Sequence, residues 1–328
     1  MDRLFRQVGR DVASLFPLDR LAFIGQRAMG ALTFMPADRM SLAREDVALL
    51  ELAQEVRGVI AGRDGDALLE LAIAGGSPHG ATPKVLVNYV ASTGRVSTGT
   101  LPDGAPWLVK FQAQDEHEEA CAVEHAYAEL ARACGLDVPA TRYFDLDTWL
   151  AGFGIARFDR EAGQRVPVHT LAGLLHANFR LPSSVDYTTF LRATRMLTRD
   201  EREVRKAFER AVFNVLFNNR DDHTKNFSYR LNAVGDWKLA PCYDLSFNEG
   251  PGGEHQMDTV GHGKDISREH LLSLAKQGGV DTAWAASTIE RLLDLCPVFG
   301  QLAGGLPIRK ASVKRIASRI EVNRRLLG

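Results

Sequence analysis

The stretch Asp221-Asp222-His223-Thr224-Lys225-Asn226 places an aspartate and an asparagine five residues apart. This is the spacing of a kinase catalytic loop, in which the aspartate accepts the proton of the substrate hydroxyl and the asparagine holds a magnesium ion. Asp221 has this spacing to Asn226, whereas its neighbour Asp222 does not. An aspartate-rich hexapeptide also occurs in ordinary solvated loops, so the surrounding sequence has to decide between the two interpretations.

The sequence around the hexapeptide predicts a helix before it and a hairpin after it. Thr198-Arg199-Asp200-Glu201 has the pattern of a capping box and opens an apolar helix from Glu201 to about Asn218. Residues 227–231 and 237–240 flank a turn at 232–236, which is the pattern of a β-hairpin. Asp244 follows the hairpin and supplies a second carboxylate. One helix and one hairpin would thus bring an acid and a metal-binding pair together, as phosphoryl transfer requires.

The composition is ordinary for a soluble globular protein, and the chain is long enough for two lobes or domains. The chain has 328 residues, of which 45% are hydrophobic and 25% charged, and its formal net charge is −1. This balance gives no bulk field that would favour nucleic acid or an anionic membrane. The basic run at 309–319 has apolar residues at helical spacing, Val313, Ile316 and Ile320, and predicts a helix with a solvated cationic face.

Cysteine usage and the absence of apolar runs predict a cytoplasmic protein with no membrane segment. Cys121, Cys134, Cys242 and Cys296 lie far apart, with no pair at metal-ligand spacing, and are expected to be reduced. The N-terminus has no apolar region after its charged residues, so it does not resemble a signal peptide. No apolar run approaches the roughly 18 residues that a membrane-spanning helix needs.

The order of predicted elements describes a small mixed lobe followed by a larger helical lobe. Residues 1–45 carry a short helix and an extended element at 30–34, and we interpret them as the remnant of an N-terminal subdomain. Residues 46–159 form the predicted N-lobe and 160–328 the predicted C-lobe. The predicted fold is therefore α+β, of the bilobal protein-kinase type. Helices are expected at 46–62, 66–73, 118–134, 201–218, 268–276, 281–294 and 309–325, and strands at 85–90, 107–111, 142–144 and 154–158.

The predicted N-lobe contains candidates for phosphate binding. Residues 75–84 form a loop with three glycines, whose backbone N–H groups could approach phosphate oxygens, and Ser77 lies inside it. The loop matches neither the Walker pattern nor the common kinase glycine pattern, so an ordinary turn is the alternative. Lys110 lies in an apolar strand and is the candidate cation, unless it is an edge lysine that reaches water. A kinase pairs such a lysine with a helix glutamate; Glu124 is the candidate, with Glu118 and Glu119 as rivals.

The predicted C-lobe contains the candidate base and metal ligands. Asp221 is the candidate base, and the oxygen atoms of Asn226 and Asp244 suit Mg²⁺. A transition-metal hydrolase centred on Asp221, Asp222, His223 and Asp244 is the competing enzyme class, although no second histidine lies nearby at ligand spacing. His255 and His262 could contribute to such a centre only through a long loop.

Taken together, these segments resemble the HipA family, the serine/threonine kinase toxins of bacterial toxin–antitoxin pairs. The resemblance runs from about Leu18 to the C-terminus. The matching segments, in chain order, are 77–84, 107–111, 156–160, 181–185, 221–228 and 240–244. It implies a kinase-like fold, use of ATP and Mg²⁺, and phosphorylation of a cytoplasmic protein, for which an aminoacyl-tRNA synthetase is the candidate. It also implies a helix-turn-helix antitoxin as partner, with DNA reached only through that antitoxin.

The resemblance also implies roles for individual residues. Asp221 would be the catalytic base, Asn226 and Asp244 would hold Mg²⁺, and Lys110 would reach the ATP phosphates. Ser77 corresponds to a loop serine whose autophosphorylation switches the kinase off, which would make the chain a phosphoprotein. The other residues implied to bind the nucleotide are His79, Gly80, Ala81, Thr82, Pro83 and Lys84 over the phosphates, Ala156, Arg157 and Phe158 at the adenine, and His223, Lys225 and Tyr243.

Two departures from the family pattern qualify the resemblance. Many relatives have an arginine where this chain has Thr82, which puts the affinity or regulation of the loop in doubt. Family members also carry a longer N-terminal subdomain before the point that matches Met1. A separate small protein would then supply that subdomain, or its loss would expose an apolar patch and cause self-association.

The sequence thus predicts an ATP- and Mg²⁺-dependent serine/threonine protein kinase that also phosphorylates Ser77. The alternative is a catalytically weak HipA-like protein that acts with a helix-turn-helix antitoxin in transcriptional repression. A small-molecule kinase would share the same ATP-binding residues and would differ only in its acceptor groove.

Overall fold

Residues 11–37, 49–60, 82–99, 101–113 and 116–328 are described by a computed structural model of the chain. Contacts divide the chain into one unit of residues 1–121 and 140–167 and a second unit of residues 122–139 and 168–328. The predicted helix at 66–73 and the loop residues 75–81 lie outside the described residues.

An antiparallel sheet with strand order β2-β1-β3-β5-β4 forms the framework of the first unit. Its strands are β1 (Lys84–Val90), β2 (Arg95–Ser97), β3 (Ala105–Phe111), β4 (Thr141–Asp147) and β5 (Leu150–Ala156). The strands predicted at 85–90 and 107–111 are confirmed as β1 and β3. The strand predicted at 154–158 begins four residues earlier, because β5 is buried along nearly all its length and carries two glycines, so it shows no alternating pattern.

The first unit buries one face of this sheet against a helix. Two described helices lie wholly within this unit, α1 (Pro17–Ile24) and α2 (Leu49–Ile60). Helix α2 falls within the helix predicted at 46–62. Leu49, Leu52 and Ala53 of α2 pack on the sheet. The sheet residues in this core are Val85, Val87, Tyr89, Trp107, Val109, Phe111 and Leu150. A Cβ at Gly154 would lie 2.6 Å from the Phe144 ring, so this glycine lets the aromatic side chain pack closely on the sheet.

A buried carboxylate, Asp159, attaches residues 28–30 to the end of the sheet. Arg157 donates two hydrogen bonds to Asp159, at 2.9 and 2.7 Å, and Arg160 Nη1 donates one at 2.8 Å. The Gly30 N–H donates to Asp159 Oδ2 at 2.8 Å, and Arg160 also donates to the carbonyls of Gly30 and Ala28. The extended element predicted at 30–34 is therefore not a strand; side-chain bonds hold its first residue. The small hairpin β6 (Arg160–Glu161) and β7 (Gln164–Arg165) follows.

The second unit is mainly helical, with one three-stranded sheet. Helix α3 (Glu119–Ala133) begins in the first unit and continues into the second, as the predicted 118–134 helix. The sheet has the order β10-β9-β8, and the predicted hairpin is confirmed as β9 and β10. Its strands are β8 (Val168–Thr170), β9 (Ser228–Leu231) and β10 (Trp237–Leu239). The helices are α4 (Leu171–Leu174), α5 (Tyr187–Thr198), α6 (Glu201–Leu216), α7 (Arg268–Gln277), α8 (Thr282–Leu293), α9 (Val298–Gly304) and α10 (Lys310–Leu327).

Helix α6 is the central helix of this unit, and its N-terminus differs from the prediction. Most of its residues from Glu203 onward are buried, and α5, α8 and α10 pack against it. The N-cap is Asp200, whose side chain accepts from the Arg202 N–H at 3.0 Å. Thr198 is instead the last residue of α5, where its hydroxyl donates to the Thr194 carbonyl. The predicted capping box is thus wrong, because the same residues also end the preceding helix.

Helix α10 fixes the C-terminal end of α6. The amide of Asn323 donates to the carbonyls of Val215 and Leu216 and to Asn218 Oδ1, at 3.0 to 3.2 Å. Ile316 and Ile320 are buried while Lys314 and Arg315 are exposed, which confirms the predicted cationic face. Across the described part of the chain, no helix is both long and apolar enough to cross a membrane.

Replacing Asp159 with asparagine is expected to destabilise the first unit by about 3 to 5 kcal/mol, because two arginines then lose a buried carboxylate. Burial alone would raise the pKa of Asp159, but the bonds from Arg157, Gly30 and Arg160 outweigh it and lower the pKa below its ordinary value. The carboxylate therefore stabilises the fold at neutral pH, and this contribution is lost as the pH falls from about 4 through the lowered pKa.

Urea unfolding of wild type and Asp159→Asn at several pH values would measure this difference. The difference in the free energy of unfolding between wild type and Asp159→Asn should be largest near neutral pH and should decrease below about pH 4. Equal stability of the two proteins at pH 7 would contradict the structural role of Asp159.

Candidate active site

The catalytic-loop candidate begins where α6 ends and is closed by its own asparagine. Asn218, just before it, has the left-handed φ of +55° and is fully buried. Residues Thr224–Asn226 form a 3-10 turn, and the Asn226 amide nitrogen donates to the Asp221 carbonyl at 2.8 Å. The first and last residues of the hexapeptide are therefore linked directly, and the loop has a fixed shape.

The two adjacent aspartates of the loop face different surroundings. The Asp221 side chain is 47% exposed, and His223 Nε2 lies 3.9 Å from its Oδ1 atom. The Asp222 side chain is completely buried. Only Asp221 is accessible to a substrate hydroxyl, while Asp222 faces the interior of the second unit.

The Asp222 carboxylate receives three hydrogen bonds. Tyr187 donates its hydroxyl to Oδ2 at 2.5 Å, His255 Nδ1 lies 2.8 Å from the same atom, and the Gln256 N–H donates to Oδ1 at 2.8 Å. Burial, assisted by the charge of Asp222, raises the pKa of Tyr187 well above its ordinary value, so this hydroxyl stays protonated and donates. Asn214 Nδ2 in turn donates to the Tyr187 oxygen at 2.9 Å.

This arrangement removes the support for a transition-metal hydrolase. Asp222 is bonded to Tyr187 and His255 in the interior and does not join Asp221 and His223 in one cluster. Among the residues that the structure describes, no group of three or more histidine, cysteine, aspartate or glutamate side chains is placed to hold a metal ion.

Asn226 and Asp244 are the candidate magnesium ligands, because their side chains carry oxygen atoms. A backbone carbonyl only accepts hydrogen bonds, so the Asn226 nitrogen must face Asp221, and its Oδ1 is the atom that could bind a cation. Asp244 has the left-handed φ of +57°, and its neighbours Tyr243 and Leu245 line the same small cavity as Asn226. The Tyr243 hydroxyl donates to the Lys225 carbonyl at 2.6 Å and lies 2.5 Å from Ser228 Oγ, which ties this segment to the loop.

Phe179 contacts two side chains of the loop and was not identified from the sequence. Lys225 Nζ lies 3.5 Å from the centre of its ring, and the His223 ring meets it edge-on with centroids 5.7 Å apart. Burial, with a smaller effect of Arg180, lowers the pKa of Lys225. The His223 Nδ1 and Thr224 Oγ1 atoms are buried and have no hydrogen-bond partner within the described ranges, which fits a loop that receives a polar ligand.

In the first unit, the sheet places two candidate phosphate-binding lysines opposite each other. Lys84 of β1 and Lys110 of β3 are partners in the antiparallel register, so their side chains leave the same face of the sheet. Lys110 is 8% exposed, and its Nζ lies 5.9 Å from the centre of the Phe153 ring on β5. Pro83 accepts a hydrogen bond from the Phe111 N–H at 2.9 Å, which fixes the chain beside Thr82 to the end of β3.

In the segment predicted to contact an adenine, two backbone N–H groups are already hydrogen-bonded within the first unit. The Ala156 N–H donates to the Ala140 carbonyl and the Arg157 N–H donates to the Pro106 carbonyl, at 2.8 and 2.9 Å. The Arg157 side chain is bound to Asp159. Any contact of an adenine with these two residues would therefore involve their carbonyls or side chains, and the contact with Phe158 stays a prediction.

The remaining predicted site residues lie apart or outside the described chain. Glu124 lies in the part of α3 that belongs to the second unit and Lys110 lies in the first, so their pairing stays a prediction. Ser77, His79, Gly80 and Ala81 lie outside the described residues. The sequence did not indicate Tyr187, and it indicated His255 only as a remote contributor to a metal centre and not as a partner of Asp222, because the two residues lie 35 positions before and 33 positions after Asp222.

Comparison with solved structures defines the class of fold. The chain is similar to HipA of Shewanella oneidensis MR-1, determined in a toxin–antitoxin complex with HipB and operator DNA, with a TM-score of 0.74, 17% identity, and coverage of 98% of this chain and 81% of that chain. It is also similar to CtkA, a proinflammatory kinase of Helicobacter pylori, with a TM-score of 0.51, 10% identity, and coverage of 76% of this chain and 90% of that chain. The predicted α+β kinase-like fold, with a smaller mixed unit and a larger mainly helical one, is confirmed.

A family model narrows this class to one family. The model described as the HipA-like C-terminal domain matches residues 76–297, which is more than half of the chain. The chain therefore belongs to the HipA-like family, as its motifs predicted.

Replacing Tyr187 with phenylalanine is expected to lower the free energy of unfolding by about 1 to 3 kcal/mol, because the buried Asp222 carboxylate loses a donor. Tyr143→Phe is the matched control: its hydroxyl has no hydrogen-bond partner in the described parts of the chain, and its loss should change stability by less than about 0.5 kcal/mol. Denaturant unfolding followed by circular dichroism would measure both. Similar small effects of the two substitutions would show that the Asp222 bond is not needed.

Proposed function

We propose that this protein is an ATP- and Mg²⁺-dependent serine/threonine protein kinase of the HipA type. The observation that carries the proposal is the closed loop from Asp221 to Asn226, in which Asp221 is half exposed while Asn226 is held by the Asp221 carbonyl. Family membership and the kinase-like fold support it.

In the proposed reaction, the Asp221 carboxylate accepts the proton of a serine or threonine hydroxyl. The hydroxyl oxygen bonds to the γ-phosphorus of ATP, the bond from that phosphorus to the β–γ bridging oxygen breaks, and ADP leaves. Asn226 and Asp244 would hold Mg²⁺, which when bound neutralises charge on the phosphates. Lys110 and Lys84 would place positive charge against the same phosphates. Tyr243 holds the Lys225 carbonyl and keeps the loop in shape.

The proposed substrates and partners follow the family. The substrate is a cytoplasmic protein, with an aminoacyl-tRNA synthetase as the candidate, and Ser77 is the proposed autophosphorylation site. The Shewanella relative was solved with HipB and operator DNA. We extend this to a helix-turn-helix antitoxin for the present chain, through which it would reach DNA.

Incubation with labelled ATP and Mg²⁺ should label the wild-type chain, and Asp221→Asn should reduce labelling by about 10²- to 10⁴-fold, because the base is lost. Ser77→Ala should abolish self-labelling but retain phosphorylation of an added protein substrate. Asp236→Asn, the same change in the exposed hairpin turn, is the control and should label normally.

Labelling that persists in Asp221→Asn would exclude Asp221 as the base. If no version is labelled, with or without an antitoxin, the result would favour the alternative function, a catalytically weak protein that acts with a helix-turn-helix antitoxin in transcriptional repression.

Lys110→Met should raise the KM for ATP by about tenfold or more, since it removes a buried positive charge beside the proposed phosphates. Lys276→Met, at the exposed end of α7, should leave the KM unchanged. Steady-state kinetics and nucleotide titration followed by tryptophan fluorescence would measure both variants. Chelation of Mg²⁺ should stop turnover in all of them, and an unaffected rate would exclude the proposed metal dependence.

A further inference from the structure

The segment that follows Asp244 returns to the catalytic loop and bonds to it at three positions. Asn248 accepts from Asn218 Nδ2 at 2.9 Å and donates its N–H to the Asn218 carbonyl at 3.1 Å. Arg220 donates from Nη1 to the carbonyls of Gly253 and Glu249. His255 and Gln256 bond to Asp222. Every second residue from Asn218 to Asp222 is thus linked to residues 248–256.

Arg220 is bound to backbone carbonyls and not to an acidic group. It is 7% exposed, and its guanidinium has no ion-pair partner in the part of the chain that the structure describes. Gly250, Gly252 and Gly253 all have positive φ and shape the turn that carries the Gly253 carbonyl. A Cβ at Gly250 would lie 1.9 Å from the Glu254 carbonyl oxygen, so glycine is required there. Two carbonyls of the segment thus accept hydrogen bonds from Arg220 Nη1, whereas the buried Nε atom has no hydrogen-bond partner among the described residues.

The segment at 247–258 has no side-chain hydroxyl group that could be phosphorylated. Residues 247–258 contain no serine, threonine or tyrosine. No side chain of this segment can therefore become a phosphate ester that would pair with Arg220. The bonds that order the segment must come from the groups already present.

His255 makes the side-chain bond at the far end of the segment. It is 2% exposed, and its backbone N–H donates to the Gly263 carbonyl at 2.7 Å, so its position is fixed independently of Asp222. Its Nδ1 atom faces a carboxylate oxygen that can only accept, so Nδ1 carries the proton. Asp222 is covalently joined to Asp221, and a shift of one therefore moves the other.

We propose that His255 is a positioning residue for Asp221, acting through Asp222, and that residues 248–256 keep the catalytic loop ordered without covalent modification. The inference rests on the proposed kinase function for its effect on turnover. A misplacement of about 1 Å in a catalytic group can cost about 10²-fold in rate, so the loss of one fixed bond is measurable.

The two ring nitrogens of histidine allow a matched test. Asparagine carries an amide nitrogen at the distance of Nδ1 from the backbone, whereas glutamine carries it at the distance of Nε2. His255→Asn can therefore restore the bond to Asp222, and His255→Gln cannot restore it in the same place. His255→Leu removes the donor but keeps an apolar side chain. His262→Asn and His262→Gln, at an exposed histidine seven residues later, control for the chemical change itself.

Two measurements on the chain and its variants test the proposal. In ATP turnover well below the unfolding temperature, we expect the kcat of His255→Asn to stay within about threefold of wild type. The kcat of His255→Gln and of His255→Leu should fall by about tenfold or more, while the KM for ATP stays unchanged. In amide hydrogen exchange by mass spectrometry, peptides that cover 219–227 should exchange faster in the Gln and Leu variants than in the Asn variant.

The outcomes separate this proposal from the kinase proposal. If wild type shows no turnover, the kinase function fails, and the exchange of residues 219–227 alone decides the role of His255. Equal impairment of the Asn and Gln variants, or wild-type exchange in all three variants, would overturn the positioning role. Phosphate found on Ser246 or Thr259 of the active protein and needed for its activity would overturn the claim that no modification is required.

Discussion

The buried carboxylate of Asp222 is the constraint on which the rest of the active-site candidate depends. An ionised carboxylate in a protein interior is costly unless hydrogen-bond donors replace the water it has lost. Here the donors are Tyr187 at the start of α5, His255 in the segment after Asp244, and the Gln256 N–H. These elements are far apart in the sequence, so satisfying one carboxylate fixes the mutual positions of α5, the catalytic loop and the returning segment.

The fixed Asp222 explains how a short loop can hold a reactive group. Consecutive side chains in an extended loop point in different directions, so anchoring Asp222 inside leaves Asp221 at the surface. The bond from Asn226 to the Asp221 carbonyl closes the loop from the other end. A carboxylate held in this way needs little reorganisation to accept a proton, which is how a preorganised site lowers a barrier.

Local features of this chain could be predicted from its sequence, and long-range bonds could not. The α6 helix, the β9–β10 hairpin and the apolar strands β1 and β3 follow from side-chain periodicity, which depends on neighbouring residues only. The roles of Tyr187 and His255 depend on bonds between residues more than thirty positions apart, for which a single sequence gives no signal. The capping box at Thr198 failed for a related reason, because the same four residues serve the end of one helix and the start of the next.

The sheet of the first unit places two positively charged side chains directly opposite each other. Lys84 and Lys110 are direct cross-strand partners, and like charges at such positions destabilise a sheet. Lys110 is also largely buried, where a positive charge is costly. Both lysines also interact with other groups of the chain. The nucleotide phosphates that the proposed kinase function requires would add an anionic partner on the face of the sheet that the two side chains share.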